Sequence, residues 1–78
     1  MIPYPVSELS RINRPALERH LLALDPHDRR LRFDTPPSDA AVHAYVARID
    51  FDRDAVFGVF DEELAIVGAA HLARASSP

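Results

Sequence analysis

The sequence predicts an α/β fold of the α+β layered kind, with two helices packed on one face of a small antiparallel sheet centred on a β-hairpin over residues 55–73. Three patterns carry this. Ala55-Val56-Phe57-Gly58-Val59-Phe60 and Leu64-Ala65-Ile66-Val67-Gly68-Ala69-Ala70-His71-Leu72-Ala73 are apolar runs of strand length joined by the acidic turn Asp61-Glu62-Glu63. Leu17, Leu21 and Leu24 recur at helical spacing, and Val42, Tyr45, Val46 and Ile49 follow at i, i+3, i+4 and i+7. Both strands are apolar on both alternating faces: Ala55, Phe57 and Val59 oppose Val56 and Phe60, and Leu64, Ile66, Ala70 and Leu72 oppose Ala65, Val67, Ala69 and Ala73. Such a sheet needs cover on two sides. The predicted core is Leu17, Leu21, Leu24, Val42, Val46, Ile49, Val56, Phe57, Val59, Ile66 and Val67.

Taken in order, residues 2–6 contain two prolines, so a strand through Tyr4 and Val6 must be short and lie at an edge, where missing backbone donors are tolerated. Ser7 to Asn13 reads as a polar connector. Asn13 suits an N-cap with Pro15 in the first turn, which predicts a helix over 14–24 buried on its leucine stripe, with Leu22 on the flank. Asp25-Pro26 ends that helix, because the residue before a proline is pushed out of the α region. His27-Asp28-Arg29-Arg30-Leu31-Arg32-Phe33 then reads as a charged loop running into Pro36-Pro37. Ser38 is the next N-cap and Asp39 complements the helix dipole, so the second helix covers 39–49. Asp50-Phe51-Asp52-Arg53-Asp54 links it to the hairpin, and residues 74–78 read as a loop.

Seventy-eight residues allow one domain, here the whole of 1–78, and a single core of that size is marginal. With no cysteine there is no disulfide scaffold and no thiolate metal site. The nine basic residues are all arginine and face twelve acidic ones, for a formal charge of -3 and a pI near 5.7. That balance argues against nucleic acid or an anionic membrane as the main partner. The N-terminus lacks a basic region followed by a long apolar core, and the apolar runs are too short to span a bilayer, so a cytoplasmic protein is expected.

Several residues invite a chemical reading. Asp50, Asp52 and Asp54 alternate as the first ligands of a calcium loop do, but the sharp-turn glycine position holds Ala55 and the rest of the loop would be a strand; an acidic linker is the plainer reading. His20, His27, His43 and His71 share no metal-binding spacing. His71 interrupts an apolar strand on the face of Val67 and Ala69; it is either a general base or ligand contact, or, more commonly, a polar residue near the open end of a strand. Arg29, Arg30 and Arg32 can hold an anion through guanidinium forks, although Asp25, Asp28 and Asp34 nearby make a salt-bridged loop the simpler reading. The serines lack a nucleophile elbow, and two glycines cannot make a dinucleotide or P-loop signature. Gly58 and Gly68 each interrupt a strand, as at a bulge or a close approach of neighbouring groups.

Leu21-Leu22-Ala23-Leu24-Asp25-Pro26-His27-Asp28-Arg29-Arg30-Leu31-Arg32-Phe33, the Ser38-Asp39 cap with its short helix, and Val67-Gly68-Ala69-Ala70-His71-Leu72 together resemble the opening half of GNAT-type N-acetyltransferases. In that family an edge strand, two helices and a strand hairpin come in the same order, and the resemblance spans about residues 4–74. It implies acetyl transfer from acetyl-CoA to an amine in a complete domain, the nitrogen attacking the thioester carbonyl directly. By the resemblance, 28–33 corresponds to a variable loop beside the acceptor, which makes Arg29, Arg30, Arg32 and Phe33 substrate-loop candidates. The family's pyrophosphate-binding glycine loop, between its fourth strand and third helix, and its general acid come later than the matched elements. No catalytic, cofactor-binding or metal-binding residue is therefore expected here, and the chain alone is expected to be inactive.

Two functions compete on these grounds: the N-terminal portion of such an acetyltransferase, completed by a C-terminal half, or a non-catalytic binding or dimerisation module derived from that fold. In the complete family fold the second hairpin strand pairs with a further strand and the opposite sheet face receives a later helix. Without them the chain is expected to associate with itself as a homodimer, through the strand edge or the sheet face.

Overall fold

The structure, a computed structural model, describes residues 4–33 and 37–72. Strand β1 (Val6–Glu8) leads through a single 3-10 turn (Arg11–Asn13) into helices α1 (Arg14–Leu22), α2 (Pro26–Phe33) and α3 (Asp39–Ala47), followed by strands β2 (Ala55–Phe60) and β3 (Ile66–Leu72). The three strands form one antiparallel sheet in the order β1-β2-β3. The architecture is thus a small mixed α/β domain, with α1 and α3 on one face of the sheet.

The helix count corrects the sequence reading, because residues 26–33 are helical. Asp25-Pro26 is both a stop and a start: the Asp25 carboxylate accepts from the Asp28 N–H at 2.8 Å, and the Asp25 carbonyl accepts from the Arg29 N–H at 2.9 Å. Proline at the first helical position loses nothing, since its missing N–H would have been an orphan there. The cap reading of Ser38 holds, its Oγ accepting from the Ala41 N–H at 3.1 Å. Asn13 behaves differently: its Oδ1 accepts from the Ser10 N–H at 2.9 Å, closing the 3-10 turn that delivers the chain into α1. The Pro36 half of the Pro36-Pro37 reading and the tail 74–78 lie outside the described residues.

Leu17 and Leu21 from α1, Val42 and Val46 from α3, Ile49, Val56 and Ile66 are buried, as the periodicity predicts. Leu9 joins them at 4% exposure, although it lies in the stretch read as a polar connector. β1 is shifted relative to expectation, starting at Val6, and it extends toward Leu9, whose N–H donates to the Val56 carbonyl at 2.7 Å. That bond swings the Leu9 side chain under the helices.

The hairpin turn is held by Asp61, whose Oδ1 accepts from the N–H groups of Glu63 and Ala65 and whose own N–H donates to the Ala65 carbonyl. Leu64, in the turn rather than in the strand, has φ of 64°. Along the ladder Val56 opposes His71, Gly58 opposes Ala69 and Phe60 opposes Ile66, so two steps on β2 face three on β3. The extra residue of this bulge reverses the alternation within β3. Ile66, Ala69 and His71 therefore all face the helices, whereas strict alternation puts Ile66 opposite Ala69 and His71.

The other sheet face carries Val6, Glu8, Phe57, Val59, Ala70 and Leu72. This corrects the predicted core: Phe57 and Val59 are only partly buried, Val67 is 50% exposed, and Leu24, just beyond the end of α1, is partly buried. Two helices supply one layer, and the described residues contain no second one. A shallow depression of 260 Å³ lies on this uncovered face, between Val6, Phe57, Val59, Gly68 and Ala70.

Candidate functional site

Three elements converge at the C-terminal end of β3. Asp54 closes the turn after α3, where its N–H donates to the Asp50 carbonyl at 2.8 Å, and this fixes its side chain at the start of β2. Val56, two residues on, is the register partner of His71, so the two chain ends of the hairpin bring Asp54 and His71 together. Tyr45 projects from the last turns of α3, and Arg32 and Phe33 end α2.

The resulting cluster is a line of hydrogen bonds. His71 Nε2 stands 2.9 Å from Asp54 Oδ2, and His71 Nδ1 stands 2.7 Å from the Tyr45 hydroxyl. An ionised carboxylate only accepts, so it selects the tautomer with the proton on Nε2; Nδ1 is then the acceptor for the Tyr45 O–H. Arg32 Nη2 donates to the same hydroxyl oxygen at 3.4 Å. The pair is well enclosed, with side-chain exposures of 5% for Asp54 and 14% for His71. Arg53 adds a longer contact from its Nε to Asp54 Oδ1 at 3.4 Å. The phenol ring is held by Phe33, edge to face at 5.2 Å and 82°, and lies tilted against His71 at 5.7 Å between centroids.

Such an arrangement polarises a hydroxyl. The imidazole Nδ1 accepts the hydrogen bond of the phenol, the carboxylate accepts that of the imidazole Nε2–H, and the guanidinium donates to the phenol oxygen. The sequence singles out His71 but misses both partners: Tyr45 reads as part of a core stripe and Asp54 as part of an acidic linker. Asp50 does behave as linker, its carboxylate accepting from the N–H groups of Asp52 and Arg53.

The four substrate-loop candidates separate. Arg29 is built into the scaffold: its guanidinium donates to the carbonyls of Leu22, Leu24 and Pro37 and pairs with Asp39 at 2.8 Å. Arg30 is exposed on α2. Arg32 and Phe33 adjoin Tyr45, with the Arg32 guanidinium also 5.3 Å from the Phe33 ring centre. The other histidines lie elsewhere. His43 pairs with Glu18 on the neighbouring helix. His20 lines a groove of 390 Å³ between α1 and the hairpin turn, with Arg19, Glu63 and Leu64 among its walls. Burial pushes the His20 pKa below its ordinary 6.5, the Arg32 charge adds to the lowering, and a hydrogen bond to the Ile66 backbone opposes it.

Among the described residues no group of three or more histidine, cysteine, aspartate or glutamate side chains is placed to hold a metal ion, and no helix is long and apolar enough to cross a membrane. Compared with protein-family models, with curated proteins and with solved structures, the chain matches none.

Proposed function

We propose that this chain forms the opening half of a GNAT-type N-acetyltransferase domain, the half that borders the amine acceptor, and that a second segment completes the fold. The observation that carries the reading is the one-sided sheet. An edge strand, a helical layer and a hairpin follow one another, the helices cover one face only, and Val6, Phe57, Val59, Ala70 and Leu72 line the other. The outer edge of β3 has no strand partner among the described residues. A further strand at that edge and a helix on that face are the elements the resemblance asks for next.

Acetyl-CoA belongs to the completed domain. Its pyrophosphate needs several backbone N–H groups aimed at one point, usually from a glycine-containing loop at a helix N-terminus. Here both glycines lie in strands, and the first turns of α2 and α3 carry Asp28 and Asp39, whose charge opposes an anion. These residues do not fit the cofactor's phosphates, so no step of the transfer is assigned to them.

Co-expression tests the reading. The chain is produced with and without the polypeptide that its own or the adjoining gene encodes next, and CoA thiol release from acetyl-CoA is followed over a panel of primary amines. The assembled protein is expected to release thiol in proportion to amine, and the chain alone is not. An assembled pair that releases no thiol with any amine overturns the proposal, as does a following segment without a strand and glycine-containing loop.

A further inference from the structure

We propose that Tyr45 is an activated phenol that takes a proton from an N–H or O–H group of a bound ligand, while its own proton passes to His71 and Arg32 holds the negative charge that develops on the oxygen. In the balanced step the ligand's proton bonds to Tyr45 Oη as the phenol O–H bond breaks. The released proton joins His71 Nδ1, and the resulting imidazolium is paired with Asp54 through its Nε2–H. The group that gives the proton is therefore an acidic one, an ammonium above all, which keeps the electron pair of the N–H bond and becomes a neutral amine. No oxidant, metal or further reactant is needed.

Three features of the cluster point past a structural role. Asp54 is the one charged residue in the buried set of the described residues, and burying a carboxylate is costly unless its partner is ionic or strongly hydrogen-bonded. The hydroxyl of Tyr45 meets an acceptor and a donor of matching purpose: His71 can take its proton, and Arg32 stabilises the charge left behind. Finally, Phe33 fixes the phenol ring edge to face, so the oxygen is aimed rather than free to turn.

The neighbouring charges define the ligand's state. Arg32, against the Tyr45 hydroxyl, disfavours a cationic group there and so favours the neutral form that remains once an ammonium has given up its proton. In the acyl-transfer reading that group is the acceptor amine, and only this identification rests on that reading.

Labelling with an aryl sulfonyl fluoride tests the proposal without any catalytic assay. The phenol oxygen bonds to sulfur, fluoride leaves, and the phenol proton goes to a base, so the rate reports activation of the phenol. The chain's two tyrosines provide an internal standard, since Tyr4 is 44% exposed and lies far from the cluster in sequence. At neutral pH, with sites read by peptide mass spectrometry, Tyr45 is expected to label about a hundredfold faster than Tyr4, the scale of an effective general base. His71→Gln and Asp54→Asn should bring Tyr45 down toward Tyr4 and leave Tyr4 unchanged, and Arg32→Lys should keep part of the advantage. Labelling of Tyr45 no faster than that of Tyr4 in the unsubstituted chain overturns the proposal, and a variant that fails to fold has no bearing on that comparison. Fast labelling that persists in a His71→Gln chain of unchanged circular dichroism overturns it as well. Fast labelling of Tyr45 in a protein whose completed form acetylates no amine keeps the relay and removes the acyl-transfer reading; amine acetylation with slow labelling does the reverse.

Discussion

Leu9 lies directly over Gly58: a Cβ at Gly58 would stand 3.1 Å from both methyl carbons of Leu9. The two residues are each other's reason. Gly58 leaves a hollow in the middle strand, on the face toward the helices, and Leu9 fills it as the chain leaves β1. Gly58→Ala is expected to destabilise by about 1–3 kcal/mol, the usual cost of forcing a methyl group into a packed core. Leu9→Ala should cost about 2–5 kcal/mol, and the double variant less than the sum, because removing the leucine clears the space that the alanine needs. Urea denaturation of the four chains measures this; strict additivity would show that the pair does not share one site.

Leu64 occupies the left-handed region at φ of 64°, exposed at 76%, in a turn whose hydrogen bonds come from Asp61 and Ala65. A leucine there loses about 1–2 kcal/mol to the clash of its Cβ with the backbone. Leu64→Asn or Leu64→Gly should recover about 1 kcal/mol, visible as a higher thermal midpoint. A lower midpoint for both substitutions would mean that the leucine side chain contributes more by lining the His20 groove than its backbone loses.

Arg29 and Arg30 are neighbours in sequence with opposite expected behaviour. The Arg29 guanidinium joins the end of α1, the start of α3 and the Pro37 carbonyl, and only its planar fork reaches all of them. Arg29→Lys is expected to cost about 1–2 kcal/mol through partly buried carbonyls left without donors. Arg30→Ala should fall within about 0.5 kcal/mol of zero, as exposed surface changes do. Equal effects would indicate that α2 is not docked through Arg29.

Stability should also fall in mild acid through His20. Its folded-state pKa is lowered by burial from the ordinary 6.5, so the folded chain binds this proton less readily than the unfolded chain does. The contribution is therefore complete above the unfolded value of 6.5 and is lost as pH falls through the lower folded value. Comparing denaturation midpoints with those of His20→Gln, between neutral pH and pH about 5, isolates this residue from the other three histidines. The difference in favour of the histidine chain should shrink on acidification; growth would reverse the sign of the argument.

The sequence made the helical core legible because Leu17, Leu21, Val42, Val46 and Ile49 carry a period that only one face of a helix satisfies. It was less informative where two signals share the same residues. Asp25-Pro26 both ends α1 and begins α2, so reading it as a stop turned a helix into a loop. Gly58 and Gly68 each suggest a bulge or a close approach; the bulge falls at Val67, next to Gly68, and its effect on facing is not legible, since periodicity cannot say on which side of an extra residue the alternation resumes. His71 stood out as a polar residue in an apolar strand. Its partners did not, because Tyr45 satisfies the core pattern of α3 and Asp54 hides among alternating aspartates; the relay exists only after the hairpin register has set Val56 opposite His71.

The last prediction concerns the uncovered face. Val6, Phe57, Val59, Ala70 and Leu72 form an apolar patch on the sheet side away from the helices, and β3 offers an edge with no partner among the described residues. Open edges template pairing with other chains, and β3 carries neither proline nor lysine to discourage it. Large apolar patches are seldom left bare on monomers. Purified alone, the chain is therefore expected to associate with itself, a two-fold dimer being the simplest closed form, and to do so less once the completing segment is present. Light scattering across a concentration series reads the association, and Phe57→Glu should shift it toward monomer, since Phe57 sits at the centre of the patch and outside the buried core. A monomer at tens of micromolar, with unfolding independent of concentration and unchanged by Phe57→Glu, would show that this face needs no cover.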